Sequence, residues 1–383
     1  MSHYDSYTIY QYGRMVRRSP RADGYVEALR RSITPGAVVV EIGTGTGAFA
    51  ILAAQMGASK VYALETSPAI DLAREEIKAH GVADRVVLIR QNSQHIQLPE
   101  QADVLFSDLR GGLPLFGTHL PTIMDGRKRL LKPGGVQIPQ SDTIYFAPVG
   151  EEAIYEGFRV PGAAYNLAME TTRKSVVNTW QRADIAPAHL LMPAQVWVTL
   201  DYRTLTETNY SNALTWTADH AGTLYGYGAW FDSVLLDEIG FSSAPGQPPV
   251  VYGQTFFPID QPVEIAAGDT INANISAYLN KGDYLWTWET RVTGADGTAK
   301  ASYKQSTFYS TPLSPDIVRR SSDKFVPSLN LEGQIDSLVL SLMDGTRSQG
   351  EIVQTLCEKF PQVFPAPRQA LDHVTALAKR YRK

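Results

Sequence analysis

Three acids, each closing an apolar run, are the residues best placed to do chemistry. Glu41 ends "VVVE" and is followed at once by Gly43, Gly45 and Gly47; Glu65 ends "KVYALE"; Asp108 ends "ADVLFSD". Alternate glycines let the backbone turn tightly and aim its amides at a ligand, and the helix that follows adds its N-terminal dipole. Such a loop suits a nucleotide or a nucleoside. Gly43, Gly45 and Ala48 also satisfy the dinucleotide pattern G-x-G-x-x-A, with Glu65 where a ribose-binding acid would sit. Two features favour a nucleoside without a pyrophosphate. Glu41 would repel phosphate and attract an ammonium group. "ADVLFSD" followed by "RLLKPGG" supplies a fourth strand ending in an acid and a helix stopped by Pro-Gly-Gly.

The elements that must hold these acids follow from the pattern around them. From residue 37 to about 136, short apolar runs alternate with amphipathic stretches such as "AIDLAREEIKAHG", which predicts a parallel sheet covered by helices on both faces. Residues 1–33 read as helical, with Tyr25, Val26, Leu29 and Ile33 on one face. Beyond "GGVQIPQSDTIYFAPV" the rhythm changes to period-2 stretches, "QVWVTLDY" and "DYLWTWETRV" among them, separated by Gly, Pro and Asn; these predict antiparallel sheet. The stretch 155–185 interrupts that rhythm as a helical insertion, and the tail is helical again after a Ser/Pro-rich connector. The expected domains are therefore 1–33, 34–140, 141–312 with the inserted arm, and 326–383.

Composition sets the outer bounds. The chain has 383 residues, 44% hydrophobic and 19% charged, with a net charge of −4, enough for several cores and no global basic face for nucleic acid or anionic membrane. A single cysteine, Cys357, and seven histidines without ligand spacing leave no expected metal site. No stretch reads as a signal peptide or a membrane span, so the expected location is the cytoplasm.

At the glycine loop and the strand ends the chain resembles the class I S-adenosylmethionine-dependent methyltransferases, and within them the protein arginine methyltransferases. The resemblance runs from about Tyr4 to about Thr311 and rests on "VVVEIGTGTGAFAILAAQMGASKVYALETS", on "IPQSDTIYFAPV" and on N-terminal helices carrying Tyr7, Met15, Arg21 and Tyr25. It implies a Rossmann-like sheet followed by a β-barrel, a dimerisation arm at the insertion and hence a homodimer, S-adenosylmethionine as cofactor and S-adenosylhomocysteine as product. Arg21 would pair with the methionine carboxylate, Gly43, Gly45 and Gly47 would line the methionyl and ribose portion, Glu65 would accept the ribose hydroxyls, and Gln94 would face the adenine amine. Tyr7, Met15, Glu41, Thr44, Thr66, Ser93 and Asp108 complete the implied cofactor-binding set.

The departures bear on the acceptor. Where the family holds a guanidinium with two glutamates, "SEWMGY…YES", this chain has "SDLRGGLPLFGTHL": the first acid is Asp108, the second is Gly117, and Arg110 adds a cation. Val250, Val251 and Tyr252 stand where the family has Thr-His-Trp. Methylation of ordinary arginine is therefore not expected, and the acceptor is read as a neutral or acidic group on a peptide or small molecule; the alternatives are a genuine arginine methyltransferase and a noncatalytic cofactor-binding scaffold. Asp108 is expected as base or orienting group, Arg110 beside the acceptor, His119 as an alternative base, and Tyr7 and Tyr10 as pocket walls. The tail segment "LMDGTRSQGEIV" resembles the small PqqD-type domains that grip leader peptides, with Thr346 or Ser348 capping a helix.

Overall fold

The computed structural model describes residues 7–159, 169–311 and 314–381. Two short helices open it, α1 (Ile9–Met15) and α2 (Pro20–Ser32), followed by β1 (Val38–Ile42), α3 (Ala48–Gln55), β2 (Lys60–Leu64), α4 (Ala69–Ala79), β3 (Val86–Ile89), β4 (Ala102–Ser107), α5 (His119–Arg129) and β5 (Leu131–Ile138). The five strands form one parallel sheet in the order β3-β2-β1-β4-β5. All five residues of β1 are buried, which is why its sequence is apolar at every position but Glu41 rather than alternating. The order reverses between β1 and β4, and ligands bind such sheets beyond the carboxyl ends of the strands at that reversal. Glu41, Glu65 and Asp108 all stand at that edge, one within β1 and the others just past β2 and β4.

The helix α5 stops at Arg129, before Pro133-Gly134-Gly135, which form an exposed part of β5 beside a register shift. The Pro-Gly-Gly is therefore not the helix stop that the sequence suggests. Ser19 caps α2 through the Ala22 amide, and Pro20 occupies its first position, where its missing N–H costs nothing. A Cβ on Gly24 would lie 2.9 Å from the Leu235 side chain, so α2 packs hard against the strands that follow.

Those strands are antiparallel. β6 (Ser141–Val149), β7 (Gln181–Ala183), β8 (Gln195–Asp201), β10 (Gly222–Leu236) and β12 (Gln254–Ile265) form one sheet, ordered β7-β12-β10-β6-β8 and extended by β11 (Ile239–Ser242) on β10; β9 (Tyr210–Thr217), β13 (Thr270–Asn280), β14 (Asp283–Thr293) and β15 (Ala299–Ser306) form the other, ordered β15-β14-β13-β9. An aromatic core fills them. Trp197 and Trp286 lie 5.5 Å apart, Phe257 meets Trp286 and Trp288, and each indole N–H that would otherwise be stranded donates to a carbonyl, Trp197 to Ile275 and Trp288 to Pro258. This core runs without a break from Val39 and Phe106 of the parallel sheet through Ile138 and Phe146 to Trp288.

Within the insertion, α6 (Glu152–Glu156) and α7 (Glu170–Val176) are short, and the chain is back in sheet at Gln181. Of the apolar arm residues, Val160, Tyr165 and Leu167 lie outside the described residues. Phe158 is buried against Phe256, and Met169 is exposed.

Residues 313–383 form a second compact unit. It contains α8 (Pro315–Arg320), α9 (Leu331–Leu342), α10 (Gln349–Lys359) and α11 (Pro367–Tyr381), closed on its own core of Ile335, Val339, Leu356, Phe364 and Val374 among others. Ser348, not Thr346, caps α10, in a capping box with Glu351.

Candidate active site

The glycine loop has the conformation its sequence demands. Gly43, Gly45 and Gly47 all have positive φ, at 85°, 55° and 84°. The amides of Gly43 and Thr44 donate to the Leu64 carbonyl, which folds the loop back onto the end of β2. Glu65 accepts the amides of Gly45 (2.9 Å) and Ser67 (2.8 Å), so the loop and the acid hold each other in place. Glu41 is buried, its carboxyl accepts the Thr44 hydroxyl (2.5 Å), and no cation lies within ion-pair distance of it among the described residues. Burial pushes its pKa up to about 8, with the Glu65 charge adding to the rise and the Thr44 hydroxyl and Ala50 amide opposing it.

A Cβ on Gly45 would meet the Tyr12 ring at 2.9 Å, so α1 lies directly over the loop, pinned by Tyr12 Oη to Ser67 Oγ (3.0 Å). Tyr12 is a site residue that the sequence reading missed, since nothing in the spacing of Tyr7, Tyr10 and Tyr12 separates them. Tyr10 points to solvent, and Tyr7 packs edge-on against Tyr12. Ser93 and Gln94 lie on a single turn past β3, the same edge as Glu65; Ser93 is buried, Gln94 half-buried and Thr66 exposed.

Beyond the loop lies a buried ionic chain. Arg21 Nε and Nη2 both reach Asp108 Oδ2 at 2.5 Å, and Arg21 Nη1 donates to the Met15 carbonyl. Arg110 Nε donates to Asp108 Oδ1 (3.1 Å), while its Nη1 donates to both oxygens of Asp142 (2.8 and 3.1 Å) and to Ser233 Oγ, and its Nη2 to Tyr25 Oη (2.6 Å). The Tyr252 hydroxyl donates to Asp108 as well (2.6 Å). Burial alone would raise the Asp108 pKa, but the charges of Arg21 and Arg110 and the Tyr252 hydroxyl hold it well below the usual carboxylate range.

Three candidate residues take these places. Arg21 is engaged by Asp108 and by the Met15 carbonyl. Arg110 does not face an acceptor: its side chain is 0% exposed and boxed by the rings of Tyr25, Phe231, Phe241 and Tyr252, so it positions Asp108 from behind. His119 is no base. It is buried, its Nε2 meets Tyr202 Oη (3.2 Å) while Tyr202 donates to Asp142, and its Nδ1 is buried without a partner. Burial, aided by the Arg110 charge, lowers its pKa to about 3, leaving the ring neutral throughout the working range. Asp142 was the other residue missed, although the period-2 pattern places it on the same buried face as Ile144 and Phe146.

These residues fit a sulfonium nucleoside on one count in particular: Glu41 is a buried acid with no cation of its own. The sequence model described as "Methyltransferase domain" matches residues 39–135. A protein from Arabidopsis thaliana named "Probable protein arginine N-methyltransferase 6" is 35% identical over 143 residues, 37% of this chain and 33% of that one. The "Arginine N(omega)-methyltransferase" of Streptomyces achromogenes subsp. streptozoticus is 29% identical over 265 residues, 67% of this chain and 73% of that one. The matches to the first plant relatives span only a third to a half of their length, 33% to 49%. The crystal structure of Arabidopsis thaliana protein arginine methyltransferase 10 superposes with a TM-score of 0.67 at 25% identity, covering 78% of this chain and 97% of that one.

Fold, loop and matched segment together are those of a methyltransferase domain of class I over residues 39–135. The architecture is similar to that of the solved plant arginine methyltransferase, with the parallel sheet leading directly into the antiparallel strands.

Replacing Glu65 with alanine is expected to weaken binding of S-adenosylhomocysteine by about 1–3 kcal/mol, the scale for losing a charged hydrogen-bond partner at a half-buried site. Titration calorimetry measures this, and an unchanged affinity would remove Glu65 from the site.

Proposed function

We propose that the chain transfers a methyl group from S-adenosylmethionine to an acceptor other than a guanidinium, on a peptide or a small molecule. The observation that carries this reading is the filled carboxylate of Asp108, whose two oxygens already receive Arg21, Arg110 and Tyr252. With Asp142, the cluster counts two arginines against two aspartates and is neutral as it stands. A guanidinium pressed onto it would be a buried cation without a counter-charge, which costs several kcal/mol.

S-adenosylmethionine supplies an electrophilic methyl group on a sulfonium. Glu41 would face its positive end, Glu65 the ribose hydroxyls, and the Ser93–Gln94 turn the adenine. Asp108, held far below the usual range, is too weak a base to take a proton. It fixes Arg21 and the Tyr252 ring, and thereby the walls against which an acceptor is aligned, and alignment supplies most of the acceleration in such a transfer. A twofold homodimer through 155–185 belongs to the same proposal. Met169 supports it, whereas Phe158 is spent inside its own barrel. So does a peptide-gripping role for the C-terminal unit, whose groove beside Val353, Cys357 and Pro367 is largely apolar.

The competing reading, an arginine acceptor, draws on the names of the relatives, and it requires Arg21 to leave Asp108. A Gly-Arg-rich peptide with labelled cofactor separates the two. Little or no transfer is expected; efficient turnover, abolished by Asp108→Ala and unaffected by deleting residues 326–383, establishes the arginine reading instead.

A further inference from the structure

We infer that the acceptor carries a carboxylate, and that Arg182 holds it. This inference rests on the non-guanidinium reading above and deepens it. Arg182 lies on β7, and its Nε donates to the Tyr252 carbonyl at 2.6 Å. Tyr252 therefore joins two sites: its hydroxyl is on Asp108 and its carbonyl on Arg182, so the guanidinium stands about one tyrosine's length from the buried cluster. Gly253, at φ 64°, permits this approach, because a Cβ there would lie 3.0 Å from Arg182 Nε.

With Nε committed to the backbone, the planar fork of Arg182 retains its Nη edge, the geometry that matches a carboxylate. Among the described residues, no acid lies within ion-pair distance of Arg182 or of Arg14, although most other arginines of the chain are paired. Arg14, at the end of α1, is near enough for its charge to depress the Arg182 pKa, second to the effect of burial. Tyr7 lies within electrostatic reach of Asp108, Arg21 and Arg182, so it borders both sites. Arg14 and Arg182 are both exposed and of like charge, so this side of the molecule is electropositive and favours an acidic ligand. By contrast, the basic groove by Arg127, Lys132 and Arg203 has those three already engaged, by the Tyr202 carbonyl, Asp103 and Asp201.

The test uses the full chain saturated with S-adenosylhomocysteine and saturation-transfer NMR. A pool of N-acetyl amino acids is compared with the matching pool of amides, and a pool of N-acetyl hexapeptides with free C-termini distinguishes a small-molecule carboxylate from a peptide one. The acids are expected to bind at least about tenfold more tightly than the amides, with Arg182→Gln losing about ten- to a hundredfold and Arg182→Lys losing less. Equal binding of acids and amides by the unaltered protein, or no binding of either, overturns the inference, as does unchanged acid binding by a folded Arg182→Gln variant. Methylation of a guanidinium with the acid preference intact would overturn the acceptor reading and leave Arg182 in its role.

Discussion

Asp142→Ala is expected to lower the stability of the first unit by about 3–5 kcal/mol, because it leaves the Arg110 guanidinium buried with much of its charge uncompensated. Asp142 and Arg110 both have side chains that are 0% exposed, so water cannot step in cheaply. The same substitution strands the Tyr202 hydroxyl and with it His119. All six tryptophans precede residue 313, so denaturant unfolding followed by tryptophan fluorescence reports this unit alone. Replacing the pair together, Arg110→Met with Asp142→Ala, is expected to recover part of the loss, since it removes the unpaired buried charge while the Tyr202 hydroxyl still lacks its acceptor. A single substitution costing less than about 1 kcal/mol, the level of an exposed pair, would mean that Arg110 is hydrated.

The second large effect is a proton. Glu41 has a folded-state pKa of about 8 against an unfolded value of 4.5, so the folded chain holds that proton more tightly than the unfolded one. Its contribution to stability is therefore full below about pH 4.5 and is lost as pH rises through 8. A positive ligand beside Glu41 favours the ionised form. Binding of S-adenosylmethionine at pH 7 is expected to release up to about one proton, and the release should vanish well above the pKa. Calorimetry in buffers of different ionisation enthalpy counts it. Glu41→Gln should abolish the release and make the ligand-free chain more stable at pH 8. Binding heats that do not depend on the buffer at pH 7 would show that Glu41 does not meet the cation.

What the sequence could disclose follows the range of the interactions. Glu41, Glu65 and Asp108 were legible at the strand ends because each depends on a short local pattern, an apolar run closed by an acid. The three glycines were legible for the same reason, since their left-handed backbone is a local requirement. Tyr12 on Ser67, Arg110 on Asp142 and Tyr252 on Asp108 join residues 55, 32 and 144 positions apart, and no local pattern encodes such pairings. His119 was read as a loop histidine and an alternative base because it follows "LFGT". In the fold it is the first residue of α5, turned inward onto Tyr202. Arg110 stood out in its loop as an unexpected cation, but its direction depends on Asp142, which lies on β6, 32 residues further on.

The paired burial of Arg110 and Asp142 also bears on history. Either residue alone is a liability, so a lineage can cross between an uncharged pair and this one only through a weakened intermediate or by two changes arriving together. Once both are in place, selection on folding preserves them whether or not the acceptor still matters. Change at the floor of the cluster must therefore come in pairs, whereas the residues at its mouth are free to change one at a time.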